Sequence, residues 1–449
     1  MAAPLLTFYG DDFTGSSAVM EVLGFAGLPT MMFLAPPGPD VLARFPGLRA
    51  IGIAGVSRSR DPAWMEANLP PAFRALAAFG APVSHYKVCS TFDSSPSIGS
   101  IGKAIDLGAP ILGGAWHPLV VGAPAIRRYQ AFGHLFAGAP DGVFRLDRHP
   151  VMSRHPVTPM DEADLRLHLG RQTARGIGLV DLAALKAGQG DAALAAERRS
   201  GAEVVALDVI DEETLAEAGR LVWNEGRGPV FAIGSQGVEY ALVAHWRRIG
   251  LVEAEPQPPV LQAVERLFAV SGSCSPTTAA QIRQAEAQGW AVRALDASLA
   301  ADPRAFARAC EAAAQEALHL LPQGRDVIVA TALGPDDPAI GKVAAAAAAA
   351  GLTAAAMNDA IGAGLGRIVE TVRRRSGLRR VAIAGGDTSG HALTALGAEA
   401  LSPVAPLAPG APLCRLHAGD PAIDGLEVTL KGGQMGQPDF FLRARSGTD

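Results

Sequence analysis

Short apolar runs alternate with amphipathic runs along almost the whole chain, and this alternation limits the folds that the chain can adopt. The first cycle consists of Leu5–Tyr9, Ser16–Phe25 and Thr30–Leu34, which is the spacing of a βαβ unit. Strands of a parallel sheet are buried on both faces, and they are therefore nearly continuous apolar runs. The pattern predicts an α/β fold with largely parallel sheets.

The same cycle continues to the end of the chain. Further predicted strands are Ala50–Ala54, Val83–Val88, Ile111–Gly114, Gly178–Asp181, Val204–Asp208, Val230–Gly234, Leu267–Val270, Ala291–Leu295, Val327–Thr331, Arg380–Ala384 and Val428–Leu430. Helical patterns lie between them, including Asp61–Ala77, Asp161–Thr173, Asp211–Glu225, Thr277–Gln288, Pro303–Leu320, Ala339–Ala350 and Asp359–Arg374.

A proline-rich stretch without helical periodicity interrupts the series near its middle. We predict an N-terminal domain over residues 1–252, a linker over 253–265 and a C-terminal domain over 266–449. Two α/β domains of this kind would enclose a cleft between them, and closure about the linker would exclude water from it.

Charge and composition exclude several classes of protein. The 39 Lys and Arg against 44 Asp and Glu leave a net charge of −5, which disfavours partners such as nucleic acid or an anionic membrane. Hydrophobic residues make up 49% of the chain and charged residues 18%, which excludes a disordered protein. The scattered cysteines and the absence of a signal peptide favour the cytoplasm. No histidine stands at metal-ligand spacing, so we predict no metal site in the protein itself.

Two adjacent acids, Asp11 and Asp12, follow the first predicted strand and precede a helix. Ligands bind at the carboxyl ends of parallel strands, where a carboxylate can accept a proton or bind substrate hydroxyls. The alternative is that one aspartate turns the chain while Thr14 or Ser16 caps the helix.

Two later loops of the first domain carry basic and hydroxyl side chains. Arg58 and Arg60 follow a strand, and an arginine fork suits a carboxylate or phosphate, although both could equally be surface residues. Lys87, Ser90 and Thr91 lie in a long polar loop that suits a polyhydroxylated ligand. Its alternative is an ordinary loop in which Ser97 caps the next helix.

Three loops of the second domain carry small residues after strands, as phosphate sites do. Small residues and helix N-termini let phosphate oxygens approach backbone N–H groups. The residues that we select as nucleotide-binding are Ser271, Ser273, Ser275, Gly385, Gly386, Asp387, Thr388, Ser389, Lys431, Gly432 and Gly433. The alternatives are two glycine-rich turns and, for the last loop, a plain hairpin turn.

In this order and spacing, the loops of both domains resemble the four-carbon acid-sugar kinase family. The resemblance covers nearly the whole chain, and it implies an N-terminal sugar-acid domain, a C-terminal ATP domain and ATP-dependent phosphorylation of threonate, erythronate or 3-oxo-tetronate. By position, it implies that Asp11, Asp12, Arg58, Lys87, Ser90 and Thr91 face the acid sugar, and that Ser273, Gly386–Ser389 and Gly432 contact ATP.

The chain departs from the family pattern in one loop. Tetronate kinases have an Asp-Ser-Thr-Leu-Arg-Gly type of loop where this sequence has Cys-Ser-Thr-Phe-Asp-Ser, so that Asp93 replaces a basic residue. This departure puts the four-carbon substrate in question. Family members also phosphorylate the branched 3-oxo-isoapionate, and we expect this chain to resemble those.

Phosphoryl transfer needs an acceptor hydroxyl in line with the γ-phosphate and stabilisation of the spreading charge. We expect ATP with Mg²⁺, Asp12 or otherwise Asp11 as the base, and Arg58 or Arg60 on the substrate carboxylate. Two rival functions remain. A NAD-dependent sugar-acid dehydrogenase should carry G-x-G-x-x-G after a strand, which the sequence lacks. A non-catalytic sugar-acid binding protein would not need phosphate loops. The sequence is compatible with a homo-oligomer.

Overall fold

The chain folds into two α/β units, Met1–Pro256 and Gln257–Asp449. The computed structural model describes residues 3–139, 141–155, 157–223, 228–253, 257 and 259–447, together with the backbone but not the side chain of Asp387. Part of the predicted linker, residues 254–256 and 258, lies outside the described residues.

The strands of the N-terminal unit are mostly short and buried along their whole length. They are β1 (Leu6–Gly10), β2 (Thr30–Phe33), β3 (Ala50–Ala54), β4 (Val83–Lys87), β5 (His117–Val120), β6 (Arg128–Ala131), β7 (His134–Ala139), β8 (Gly142–Arg145), β9 (Ile177–Val180), β10 (Val204–Leu207) and β11 (Val230–Gly234). The helices are α1 (Phe13–Phe25), α2 (Pro39–Ala43), α3 (Pro62–Ala77), α4 (Ile101–Leu112), α5 (Leu165–Gly170), α6 (Leu182–Lys186), α7 (Gly190–Arg199), α8 (Glu212–Trp223) and α9 (Gly237–Arg248).

The main sheet of this unit is parallel, in the order β2-β3-β1-β4-β11-β5-β10-β9. Tyr9 on β1 and Tyr86 on β4 stack with ring centroids 6.0 Å apart, and both meet the edge of Phe73 on α3. These rings pack with other buried side chains in one hydrophobic core. The core therefore supports the ends of β1 and β4 directly.

A separate antiparallel sheet, β6-β7-β8, is inserted after β5. The sequence patterns did not predict it. The predicted strand Ile111–Gly114 is wrong, because Ile111 and Leu112 end helix α4 and the strand is His117–Val120. A short apolar run does not distinguish a strand from a buried helix end. The predicted helix Asp161–Thr173 is also shorter in the structure, Leu165–Gly170.

The C-terminal unit has a mixed sheet in the order β13-β14-β12-β15-β18-β17-β16. Its strands are β12 (Phe268–Ser271), β13 (Ala291–Ala294), β14 (Val327–Ala330), β15 (Arg380–Ala384), β16 (Ala398–Ala408), β17 (Ala411–Ala418) and β18 (Glu427–Lys431). The helices are α10 (Pro276–Ala287), α11 (Pro303–Leu320), α12 (Pro338–Ala350), α13 (Ala354–Ser376), α14 (Gly386–Ala395) and α15 (Phe440–Ser446).

Strands β13, β14, β12, β15 and β18 are neighbours in this order and run parallel. Strands β16 and β17 form an antiparallel hairpin, and β17 pairs antiparallel with β18. The fold prediction of two α/β domains with largely parallel sheets is confirmed. Within the described residues, no single helix is both long and apolar enough to cross a membrane; α12 and α13 meet such a criterion only as a pair bent by 116°.

Candidate active site

Four charged residues of the N-terminal unit lie at the carboxyl ends of three neighbouring strands. Asp11 and Asp12 follow β1, Arg58 lies in a short 3₁₀ turn after β3, and Lys87 ends β4. Strands β3, β1 and β4 are adjacent in the sheet, so these residues meet at one edge, as parallel sheets arrange their ligand sites. We call Asp11, Asp12, Arg58 and Lys87 the charged cluster.

Arg58 connects the two aspartates. Its Nε donates to Asp11 Oδ2 at 3.1 Å, and its Nη2 donates to Asp11 Oδ1 at 2.6 Å and to Asp12 Oδ1 at 2.7 Å. The Asp11 side chain is 3% exposed, whereas the Asp12 side chain is 15% exposed. Asp11 therefore anchors the guanidinium, and Asp12 is the carboxylate that a ligand can reach.

Asp12 also caps helix α1. Its Oδ1 accepts from the backbone N of Gly15 at 2.7 Å, and its Oδ2 accepts from Thr14 Oγ1 at 2.6 Å. The alternative in which Thr14 or Ser16 caps this helix is wrong. Burial acts to raise the pKa of Asp12, but the charges of Arg58 and Lys87 hold it below its ordinary value. Burial raises the pKa of Asp11.

Lys87 approaches Asp12 across a glycine. The lysine is 2% exposed, and its Nζ donates to the carbonyl of Val88 at 2.7 Å. A Cβ added to Gly15 would lie 2.4 Å from Asp12 Oδ1 and 2.9 Å from Lys87 Nζ. Only glycine at this position lets the carboxylate and the ammonium crowd together.

The remaining predicted residues of this unit differ in their surroundings. Thr91 is buried and donates to Asp93 Oδ1 at 2.5 Å. Ser90 accepts a hydrogen bond of 3.3 Å from Nε of Arg128, a residue that the sequence analysis missed because it belongs to the inserted sheet. Arg60 is not brought into the charged cluster, since its guanidinium lies 5.6 Å from the ring centroid of Trp64.

A pocket of about 310 Å³ lies in the C-terminal unit, at the carboxyl ends of β12, β14 and β15. Predicted residues that line it are Ser273, Gly385, Gly386, Thr388 and Gly433. Other residues of its wall, which the sequence patterns did not indicate, are Ala297, Ala332, Ala339, Ile340, Val343, Asn358 and Ile361. Ala339, Ile340 and Val343 belong to α12, but the alanine run over residues 344–350 of that helix does not line the pocket.

Several predicted residues support the pocket loops instead of lining them. Lys431 is fully buried, and its Nζ donates to Thr278 Oγ1 at 2.8 Å and to the Gly432 carbonyl at 2.9 Å. Burial lowers the pKa of Lys431 to about 7. Ser275 caps α10, and Ser389 Oγ donates to the Gly385 carbonyl at 2.7 Å.

Two other predicted residues need separate mention. Ser271 is buried, and its hydroxyl accepts a hydrogen bond of 3.4 Å from the backbone N of Ser273. The side chain of Asp387 lies outside the described residues.

Two glycines of the pocket have different effects: Gly272 allows close packing of a loop on a helix, and Gly386 leaves free space. A Cβ on Gly272 would lie 2.2 Å from Thr388 Oγ1, so the first loop packs directly on the start of α14. A Cβ on Gly386 would meet no atom within 4 Å beyond its chain neighbours and the backbone of its own helix, and this residue lines the pocket. Free space at a helix N-terminus, next to small residues, is the arrangement that binds phosphate. The fold and these two sites define an α/β protein with a charged cluster in one unit and a pocket suited to a phosphate group in the other.

Comparison with known proteins identifies the family. A family model described as the sugar-binding N-terminal domain matches residues 6–242, and one described as the nucleotide-binding C-terminal domain matches residues 268–441. A 3-oxo-isoapionate kinase of Paraburkholderia graminis is 51% identical over 99% of this chain and 95% of that protein. A 3-oxo-tetronate kinase of Methylobacterium radiotolerans is 33% identical over 97% of both chains.

Solved structures share the fold. A crystal structure of a Salmonella typhimurium LT2 protein has a TM-score of 0.77 at 23% identity, and Haemophilus influenzae protein HI1011 has a TM-score of 0.70 at 22% identity. Each comparison covers 98% of both chains. The chain belongs to the four-carbon acid-sugar kinase family. It is therefore an ATP-using enzyme that phosphorylates a hydroxyl group of a sugar acid.

Proposed function

We propose that this enzyme transfers the γ-phosphoryl group of ATP to a hydroxyl of a branched 3-oxo sugar acid, of which 3-oxo-isoapionate is the model. The observation that carries the proposal is the 51% identity, over almost the full length of both chains, to a 3-oxo-isoapionate kinase. The similar 3-oxo-tetronate kinases are 27–33% identical, which makes the unbranched four-carbon acid the second candidate.

We assign Asp12 as the base that accepts the proton of the attacking hydroxyl. It is the more exposed acid of the charged cluster, and its lowered pKa keeps it ionised at neutral pH. Within the described residues, its Oδ2 accepts a hydrogen bond from the hydroxyl of Thr14, and a substrate hydroxyl could replace this donor. Asp11 and Arg58 then act together to hold the carboxylate of Asp12 in place.

Lys87, Ser90 and Thr91 are assigned to the substrate side of the site. Lys87 places a positive charge beside Asp12, where negative charge develops during transfer. Ser90 carries a half-buried hydroxyl, which we assign to the substrate. Thr91 donates its hydroxyl to Asp93, so we assign it a role in holding the conformation of the loop. We assign no substrate contact to Arg60, because its guanidinium lies on Trp64.

The C-terminal pocket is assigned to ATP. Phosphates would occupy the free space beside Gly386, Ser273 and Gly433, and the adenine would lie against the wall that includes Ile340 and Ile361. We assign Lys431 a positioning role, because its ammonium joins the last loop to Thr278 on α10 and does not line the pocket. Gly432 supplies an acceptor for that ammonium.

The described residues of the pocket could hold Mg²⁺ only together with the phosphates of a bound nucleotide. No group of three His, Cys, Asp or Glu side chains within the described residues could hold a metal ion alone. Mg²⁺ commonly keeps several waters and binds to substrate phosphates with one or two carboxylates, and in some nucleotide sites with a Ser or Thr hydroxyl. Thr331 and Thr388, which line the pocket, carry hydroxyls that would serve in this way. When bound, the ion would neutralise phosphate charge.

The proposal is tested by measuring ADP release with a panel of acids: 3-oxo-isoapionate, 3-oxo-tetronate, threonate and erythronate. We expect the highest kcat/KM for 3-oxo-isoapionate. A higher value for 3-oxo-tetronate would replace the branched acid by the second candidate, and ADP release with none of the four would contradict the proposal. Fractionation of cells would test the cytoplasmic location, which stays a prediction.

A further inference from the structure

We propose that Arg128 binds the carboxylate of the acid substrate and thereby selects acids over neutral sugars. The inference rests on the proposed function and deepens it, because it names the group that recognises the charge of the substrate. Arg128 begins β6 of the inserted sheet, and its guanidinium reaches the loop after β4.

Arg58 and Lys87, the other basic residues of this site, already bind groups of the protein. Arg58 uses Nε and Nη2 on Asp11 and Asp12, so its charge is balanced by two carboxylates. Lys87 is almost fully buried beside Asp12, and its Nζ donates to a backbone carbonyl. A substrate carboxylate near the charged cluster therefore needs another cation.

Among the described residues, the guanidinium of Arg128 forms no ion pair, although the charge of Asp93 acts on it from a greater distance. Its described hydrogen bonds go to neutral acceptors: Ser90 Oγ at 3.3 Å and the carbonyls of Ile126 and Arg127, both at 3.2 Å. No carboxylate of the described residues lies within ion-pair distance of its guanidinium. The side chain is half-buried, and burial lowers its pKa. Partial burial of an unpaired charge costs free energy, which a bound anion would recover.

The position of Arg128 matches that role. Ser90, which accepts the hydrogen bond from Arg128, follows Lys87 of the charged cluster by three residues, so Arg128 lies beside the loop that begins at that cluster. Asp93 also acts on Arg128, but at more than ion-pair distance, and it accepts the hydroxyl of Thr91 at 2.5 Å. One small ligand could therefore have its carboxylate at Arg128 and its hydroxyls near Asp12.

The loop that carries Ser90 is held rigidly enough to present a fixed partner. Phe92 has a positive φ of 58°, which is unfavourable for a residue with a side chain, and its ring is fully buried. Ser94 secures this turn, since its Oγ donates to the Phe92 carbonyl at 2.9 Å and contacts His168 Nε2 at 2.9 Å. Such preorganisation lowers the entropic cost of binding.

The experiment compares Arg128→Gln, Arg128→Lys and Arg127→Gln in the full-length enzyme. Arg127 is the matched control, because its guanidinium bonds instead to the carbonyls of Ala139 and Gly142, both at 3.0 Å. The substrates are 3-oxo-isoapionate and its neutral primary carboxamide. Steady-state kinetics would give kcat/KM for both compounds and KM for ATP, and circular dichroism would verify folding.

We expect the wild type to prefer the acid over the carboxamide by about 100-fold. Arg128→Gln should reduce this preference to about 5-fold or less and leave the KM for ATP within about 2-fold, whereas Arg127→Gln keeps the preference and Arg128→Lys keeps part of it. An unchanged preference in Arg128→Gln, or a parallel loss for acid and carboxamide, would overturn the inference. Failure of the wild type to turn over any acid would instead contradict the proposed function on which the inference rests.

Discussion

The two candidate sites of this enzyme are formed by different kinds of residue. The N-terminal site is an arrangement of charged side chains, in which the buried Asp11 and Lys87 and the partly exposed Asp12 and Arg58 lie together and balance one another. The C-terminal pocket is lined by glycine, alanine, hydroxyl and larger apolar residues, and the buried ammonium of Lys431 donates to Thr278 and does not line the pocket. Both sites nevertheless lie at the carboxyl ends of parallel strands.

The difference follows from what each ligand offers. A small sugar acid has one charge and several hydroxyls, and individual side chains must recognise each group. A nucleotide has a polyphosphate that many backbone N–H groups can bind and a flat base that fits between apolar side chains. Substitutions in the first site should therefore reduce activity by removing a charge. Substitutions in the second site should reduce ATP binding by filling the space that the nucleotide needs.

The largest effect is expected from Asp12→Asn. Asparagine caps a helix as well as aspartate does, so folding should be preserved while the base is lost. We expect kcat to fall by about 10²- to 10⁴-fold in a coupled ADP assay. Asp61→Asn is the matched control, because Asp61 caps α3 in the same way, through a 2.8 Å bond from the backbone N of Trp64. Near-normal kcat in Asp12→Asn would remove the assignment of the base.

Gly386→Ala should affect ATP alone. The added methyl group meets no atom within 4 Å beyond its chain neighbours and its own helix backbone, but it occupies space that we assign to phosphate. We expect the KM for ATP to rise by about 10- to 100-fold, on the order of 1–3 kcal/mol of lost binding, with an unchanged melting temperature. Gly341→Ala on α12, which also meets no atom within 4 Å, should leave this KM unchanged. Equal KM values for the two variants would place the phosphates elsewhere.

Lys431→Met should change how stability depends on pH. Burial lowers the pKa of Lys431 to about 7, so the unfolded chain binds more protons than the folded chain between about pH 7 and pH 10. Wild-type stability should accordingly rise relative to Lys431→Met by about 2 kcal/mol from pH 6 to pH 9. Hydrogen exchange of the β18 amides would measure this difference. The exposed Lys342→Met is the control, and a flat difference in Lys431→Met would mean that Lys431 stays charged.

The smallest effect is expected from Arg60→Gln. The guanidinium of Arg60 lies on Trp64 and outside the charged cluster, so kcat/KM for the acid should stay within about 3-fold of the wild-type value. A loss comparable to that in Arg128→Gln would show that Arg60 moves to the substrate during turnover. The same kinetic assay distinguishes the two results.

Local patterns predicted the parallel strands well, and the reason is physical. β3, β11 and β15 begin and end at the predicted residues, because strands buried on both faces are continuous apolar runs between polar loops. The antiparallel parts were missed. β6 has partly exposed polar residues, and β16 contains Pro403 and Pro406, which reduce strand propensity.

The sequence predicted those residues of the candidate site whose location follows from their place at the end of a recognisable strand. Asp11 and Asp12 follow one recognisable strand and Lys87 ends another, and the sheet order brings the three residues together. Side-chain direction was not predictable: Lys431 lies beside two glycines of a phosphate-type loop, yet its ammonium is held by Thr278. Arg128 could not be found either, because its role depends on how the inserted sheet packs against the loop of Ser90.

The most direct test of this contrast is one set of steady-state measurements on two variants, Gly386→Ala and Arg128→Gln, with KM determined for both ATP and the sugar acid. We expect Gly386→Ala to raise only the KM for ATP and Arg128→Gln to raise only the KM for the acid, each by about 10-fold or more. If either variant raised both KM values equally, the two ligands would not be bound by these two separate sets of residues.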